Sequence, residues 1–428
     1  MMNLLQEKRE AAKLRINTLK MPEGGWSFAA RAAALERVKR TGLPSRRDEY
    51  WKFTNPETLV KQATESAALF KSDEVPFFET DRLKIVFIDG VFCESSSDDL
   101  VLNGIEIDRL ADVIPNKVHW AQSIYGVIES RGQTPVERPL AALNTAFATD
   151  GVLINVKRTP SKPVSLIYDH SSENSDAILH HVIKVNSGAS LTVLENGPAA
   201  ARFNKCMEIQ LAEGASFHHI RTQGRDHERR ASTHMFAQLN ASSTFKSFTL
   251  TVNGRLTRNE VVVELSGENS IANIAGACVG DGDFHHDDTV FVTHAAENCD
   301  SRQVFKKVLR NGATGVFQGK ILVKQCAQKT DGYQISQALL LDNDSQFNAK
   351  PELEIYADDV VCSHGSTSGA IDEEALFYLR SRGVERAEAA DLLTLAFLGE
   401  AVEEIEDESL TEQIVSLLSS WLMRHRPS

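Results

Sequence analysis

The segment Pro351-Glu-Leu-Glu-Ile-Tyr-Ala-Asp-Asp-Val-Val-Cys362-Ser-His364-Gly-Ser-Thr-Ser-Gly369 alternates like a strand and runs into a small-residue stretch bearing a thiol and an imidazole two positions apart. On an extended chain, residues i and i+2 share a face, so Cys362 and His364 can address one site. An imidazole that takes the thiol proton leaves a thiolate, which can bind a soft metal or carry sulfur. A thiol protease needs the same pair, but nothing resembling a papain or caspase signature surrounds Cys362.

Three histidine pairs compete for attention: His180-His181, His218-His219 and His285-His286, the last within Asp281-Gly-Asp-Phe-His-His-Asp-Asp288 and followed by His294. Neighbours on a strand point to opposite faces, so each pair sends one ring to any shared site, and the helical H-E-x-x-H spacing is absent. We expect the segment from Asp281 to His294 to be a surface turn with solvated carboxylates. Gly312-Ala-Thr-Gly-Val-Phe-Gln-Gly-Lys320 lacks the glycine spacing of a phosphate loop, and Ile321 stands where the magnesium-binding Ser or Thr belongs. If ATP matters to this protein, another subunit must hydrolyse it. The six cysteines, Cys93, Cys206, Cys278, Cys299, Cys326 and Cys362, form no C-x-x-C pair, which excludes a local four-thiolate cage.

These groups must be positioned by a chain of 428 residues, too long for one ordinary core. The balance of 46 basic against 59 acidic residues gives −13 and speaks against nucleic acid or anionic lipid as a partner. No run approaches the length of a membrane span, and the first ten residues turn charged before a signal peptide can form, so a cytoplasmic location is expected.

Residues 1–150 predict a mainly helical domain: helix-spaced apolar residues to about Arg40, a hairpin over Lys84 to Cys93 with an Asp-Gly turn, and a helical stretch from Trp120 to Phe147. Trp51 and Phe53 are expected to pin this region to the next domain. From 151 to 366 the texture is short Val, Ile, Leu and Phe runs broken by corners at Gly188, Gly214, Asn240, Gly267 and Ala296, with steps of 26, 26, 27 and 29 residues, before the period slips at Gly312 and Asn343. Strands repeating at this interval suit a solenoid, and a right-handed parallel β-helix stands ahead of a long antiparallel sandwich. Residues 367–428 return to helix. Acidic residues open Asp372 to Gly383 and arginines close it, and Leu410, Ile414, Leu417, Leu418 and Trp421 form a stripe that either packs internally or receives a partner. Between these helices the acidic stretch from Glu400 to Ser409 reads as a solvated face or loop.

Ser301-Arg-Gln-Val-Phe-Lys-Lys-Val-Leu, Gly315-Val-Phe-Gln-Gly-Lys-Ile, Ala327-Gln-Lys-Thr-Asp, Leu339-Leu-Leu, Pro351-Glu-Leu-Glu-Ile-Tyr-Ala-Asp-Asp-Val, Cys362-Ser-His-Gly and Leu376-Phe-Tyr-Leu-Arg-Ser-Arg-Gly occur in this order. The set resembles the SufB/SufD family of iron-sulfur cluster assembly proteins. Leu43-Pro-Ser-Arg-Arg-Asp-Glu-Tyr-Trp-Lys-Phe-Thr and the lack of an early cysteine cluster are similar to its SufD branch. The resemblance implies a right-handed parallel β-helix between helical domains and a non-catalytic scaffold that pairs with SufB through the end of the β-helix. It implies the ATPase SufC on the C-terminal helices, near Phe377, Tyr378, Arg380 and Arg382, and a homodimer as an alternative state. It further implies sulfur supplied by a cysteine desulfurase system, no stably bound cofactor, and a transient cluster or iron held by His364 first and Cys362 second, shared with the partner chain. Two other readings stand beside it: a polysaccharide-active β-helix enzyme, and a purely architectural subunit without a cluster ligand.

Overall fold

The computed structural model describes residues 2–69 and 75–426. Its centre is a parallel β-solenoid of two facing sheets. In one, Val152–Val156, Asp176–Val185, Arg202–Leu211, Arg230–Leu239, Leu256–Leu265, His285–His294, Thr314–Val323 and Gln346–Ile355 follow one another through seven parallel pairings. The other runs from Val164–Asp169 through Ser190–Asn196, Ser216–Gly224, Thr244–Val252, Ile271–Asp281, Asp300–Arg310 and Thr330–Leu340 to Val360–Gly369. Each coil contributes one strand to each sheet and places its residues beside those 26 to 32 positions on, as in Asp176 beside Arg202 and Thr314 beside Gln346. Inward residues such as Val193, Phe217, Leu239 and Val263 find a dry environment only because the next coil covers them.

The corners explain the period. Gly188, Gly214, Ser242, Asn269, Asn298 and Lys329 all have positive φ, and each donates its N–H to a carbonyl of the following corner, from Gly188 to Glu213 O at 3.1 Å through to Lys329 on Asp359 O at 2.5 Å. A left-handed residue at a fixed place in each coil is what favours Gly and Asn there. The expected slip at Gly312 is corrected. Gly312 and Asn343 belong to a second stack of corners, with Asn253 and Gly282, on the opposite edge of the coil, while the first stack continues without interruption.

The two ends differ. At the N-terminal end, short antiparallel strands close both sheets: Val91–Phe92 on Leu83–Ile88, and Ile105–Arg109 on Val152–Val156. The hairpin turn is Asp89-Gly90, both left-handed, as an Asp-Gly type I′ turn requires. At the other end, Gln346–Ile355 and Val360–Gly369 are the last strands of their sheets, and among the described residues nothing pairs with their outer edges.

Helices cover the outer faces. Pro139–Phe147 packs on the nine-stranded sheet, Phe28–Thr41 packs on that helix, and Met2–Ile16 packs on Phe28–Thr41. The helical stretch expected from Trp120 to Phe147 is divided into a 3-10 turn at Trp120–Ser123, a short helix Val127–Arg131 and a helix opening at Pro139, with Gly132 and Pro135 between the last two. Trp51 pins this region as expected: the Arg258 guanidinium lies 4.1 Å over its ring, and Tyr50 sits 5.1 Å from Phe291. On the ten-stranded sheet, Arg386–Val402 and Glu408–Arg424 bury Leu410, Ile414, Leu418 and Trp421 against Phe248, Leu250 and Val252. The stripe is internal packing. The acidic stretch is not merely solvated: Glu404 pairs with Arg302 at 2.6 Å, Glu400 with Lys306 and Glu406 with Lys246, which clamps these helices onto the sheet.

Candidate functional site

The open end of the solenoid holds the predicted pair. In Val360–Gly369, Cys362, His364 and Ser366 occupy alternate positions, opposite Gly332, Gln334 and Ser336 of the preceding coil. Ser336 and Ser366 hydroxyls meet at 2.6 Å, so this face turns inward over the end of the core. Cys362 is half-buried against a small cluster that includes Ile321, Val323, Leu353 and Val360. His364 lies exposed on the terminal coil. A β-carbon built on Gly332 would stand 3.2 Å from the Cys362 sulfur, so the missing side chain keeps space beside the thiol.

Burial, reinforced by the charge of Asp331, pushes the Cys362 thiol up, with a backbone hydrogen bond from Gly332 opposing. Among the described residues no hydrogen bond joins Cys362 to His364. A nearby cation would favour the thiolate. Among the described residues no group of three or more His, Cys, Asp or Glu side chains is arranged to hold a metal ion. The end of the solenoid offers one sulfur and one nitrogen, half of a tetrahedral donor set.

Directly beneath His364, Gln334 and, one coil further, Gln303 lie in the same register column, both fully buried, with neither amide atom hydrogen-bonded. The repeat interval from His364 is the signal that would have found them.

Phe377 and Tyr378 are exposed at 72% and 55% on the helix Glu373–Ser381, with Arg380 and Arg382 exposed beside them and Arg382 4.7 Å over the Tyr378 ring. Buried Leu376 anchors this helix, Asp372 caps it by accepting from the Glu374 and Ala375 N–H groups at 2.9 and 3.1 Å, and Gly383 ends it at φ +91°.

The histidine pairs are not surface groups, and the solvated turn expected from Asp281 to His294 is corrected: His286, Asp287, Asp288 and His294 are buried. His181, His219 and His286 point into the solenoid. The Tyr168 hydroxyl donates to Glu195 at 2.5 Å and meets His181 Nε2 at 3.1 Å. Lys205 and His219 Nε2 also donate to Glu195, at 2.6 and 2.7 Å, and Ser247 lies 2.9 Å from His219 Nδ1. Burial works to raise the Glu195 carboxyl, but the Lys205 charge and the His219 bond hold it well below the usual range. Farther along, Lys307 donates to Asp288 at 2.6 Å and to His286 Nδ1 at 3.1 Å. Two of the outward partners are committed as well, His180 Nε2 lying 2.8 Å from Glu208 and His285 Nε2 2.9 Å from the Thr54 hydroxyl, whereas the buried Nε2 of His218 has no hydrogen-bond partner. Gly312 sits at a corner and Lys320 lies in a strand, paired with Glu354 at 2.5 Å, so no phosphate loop forms.

Two family models describe this architecture: the SUF system FeS cluster assembly SufBD core domain over residues 168–397, and the SufBD protein N-terminal region over residues 25–163. The chain belongs to the SufBD family. It is 31% identical over 407 residues to the iron-sulfur cluster assembly protein SufD of Escherichia coli, covering 91% of each chain. It is 27% identical to an iron-sulfur cluster assembly SufBD family protein of Synechocystis, over 91% of this chain and 90% of that one. Against SufD of Bacillus subtilis the identity is 25%, over 66% of each. No helix among the described residues is long and apolar enough to cross a membrane.

Proposed function

We propose that this chain is a non-catalytic scaffold subunit of the SUF machinery that builds an iron-sulfur cluster in the cytoplasm at a junction with a second solenoid subunit, SufB. The observation that carries the reading is the incomplete donor set at an open coil end: Cys362 and His364 share a face of Val360–Gly369, which with Gln346–Ile355 has an outer edge unpaired among the described residues. Unpaired strand edges are templates for another chain's strands. An end left uncapped, in a fold whose other end is capped by antiparallel strands, belongs in an interface. Tyr356 and Val361, exposed at 61% and 69% beside the site, supply apolar contact area for it.

In this reading the iron and sulfide are cargo, and the sulfur comes from a cysteine desulfurase system. His364 supplies a nitrogen and Cys362 a sulfur, and the partner chain supplies the remaining ligands, so a cluster is held only while the two ends are together. A homodimer through the same edges is the ligand-poor alternative assembly. The exposed Phe377 and Tyr378 with Arg380 and Arg382 form the contact for SufC, whose ATP hydrolysis drives the interface open. The free cysteines fit a reducing compartment. The test is the surface variant Val361→Lys with Tyr356→Lys, which puts charge on the exposed apolar area beside the open edge without removing a hydrogen bond of the sheet or touching the ligands. It should abolish co-elution with SufB while leaving the chain folded, and undiminished co-elution would overturn the end-to-end reading.

A further inference from the structure

The inside of the solenoid carries more positive than negative charge. Four buried cations, Lys205, Arg221, Arg229 and Lys307, come from its lining, against the carboxylates of Glu195 and Asp288. Glu195 is taken by Lys205 and Asp288 by Lys307. Neither Arg221 nor Arg229 has a carboxylate within ion-pair distance among the described residues. Arg221 donates to Thr233 Oγ1 at 3.1 Å and Asn259 Oδ1 at 2.6 Å, and Arg229 to the Gly197 and Pro198 carbonyls and to Gln223. Glu260, the other carboxylate nearby, is committed to Arg258 and Arg138 on the outer face. The lumen histidines His181, His219 and His286 add no negative charge, so two buried positive charges lack a counter-charge. A buried charge without a partner is costly, and the usual remedies are a neighbour of opposite sign or a bound ion.

Beside Arg221 lies a cavity of about 20 Å³ lined by Lys205, Arg221, Thr233 and Ser247, and also by Glu260 and Asp288, whose charges are already taken by Arg258 with Arg138 and by Lys307. A space of that size admits a single sphere of about water size. Arg221, which is 7% exposed and lines this cavity, has one side-chain nitrogen, Nε, with no hydrogen-bond partner. Lys205 donates to both oxygens of Glu195 and keeps a third ammonium proton to donate.

We infer that this cavity is a binding site for one small monovalent anion of halide size, held by the Arg221 guanidinium and the Lys205 ammonium, which offsets the positive charge of the solenoid interior. The site is independent of the assembly role of the open end and lies several coils away from Cys362 along the sheet. A large anion such as gluconate is excluded by volume. Selective binding to the folded state raises the unfolding temperature with anion concentration.

The test uses the full chain and bromide as the probe. A crystal grown in bromide should show an anomalous peak in the cavity beside Arg221. At matched ionic strength, bromide or chloride should raise the melting temperature over gluconate by about 1–3 °C, saturating with concentration. In Arg221→Met that gain should vanish. An anomalous map with only water in the cavity, or a halide gain of equal size in Arg221→Met, overturns the proposal; if that variant does not fold, the wild-type anomalous map decides alone.

Discussion

Lowering the pH from about 7.5 to about 5.5 should destabilise this fold steeply, for a reason visible in its interior. Burial, the largest cause in each case, brings His181, His227 and His286 to about 3 and His219, His234 and His294 to about 4. In the unfolded chain the same imidazoles titrate near ~6.5. Their folded values are depressed, so the folded chain stays neutral while the unfolded chain gains protons. Stability is therefore lost as the pH falls from about 6.5 toward 4. Two carboxyls act in the opposite sense. Burial raises Glu129 to about 7 and Glu208 to about 8, so by pH 5.5 the folded chain holds two protons that the unfolded chain releases. The difference, roughly four protons near pH 5.5, corresponds to a slope of about 5 kcal/mol per pH unit at 1.4 kcal/mol per proton. That is a large fraction of the stability of an ordinary domain. The assay is the urea midpoint followed by tryptophan fluorescence across this range, with proton uptake on unfolding measured directly. The midpoint should fall, and His286→Gln should reduce the uptake by about one proton. A midpoint that holds or rises on acidification, or an uptake indifferent to His286→Gln, refutes the reasoning.

Glu195→Gln leaves Lys205 buried without a carboxylate and should cost about 3–5 kcal/mol in denaturant unfolding, much of it restored in the Glu195→Gln, Lys205→Met double variant; a double variant no more stable than the single would show that the pair is not the source. Gly332→Val places a branched side chain where a β-carbon already stands 3.2 Å from the Cys362 sulfur. It should slow alkylation of Cys362, followed peptide by peptide in a mass spectrometer, and lower cluster yield in the assembled complex; unchanged alkylation would mean that the thiol reaches solvent by another side. Phe377→Glu with Tyr378→Glu on the exposed face of their helix should abolish co-purification with a SufC-type ATPase while shifting stability by less than about 0.5 kcal/mol. Retained co-purification would move the contact elsewhere.

Much of this architecture is legible in the residues because a solenoid repeats its constraints. The corners at Gly188 and Gly214 mark left-handed positions that recur each coil, and the strands between them alternate. Two sets of corners alternate along the chain, however, and both use Gly and Asn, so a count that moves from one to the other at Gly312 registers a false slip. The buried ionic lumen is not legible in the same way. Lys205, Glu195 and His219 lie apart in sequence on three strands, and only stacking brings them to one point; read along a single strand, each is a polar residue that alternation alone would place outside. Asp287 and Asp288 mislead for the same reason, since Arg258 and Lys307, which neutralise them, stand some 20 to 30 residues away. Cys362 and His364 are legible as a pair because they are close in sequence, whereas Gln334 and Gly332, which lie beneath them, belong to the previous coil.

The account rests on a donor set completed only by a second chain, and iron and acid-labile sulfide counted after anaerobic reconstitution test it most directly. The chain alone should end near zero for both, the complex with SufB and SufC should carry a cluster, and His364→Ala in that complex should lose most of it. A full complement of iron and sulfide on the isolated chain, or undiminished loading with His364 replaced, would contradict it.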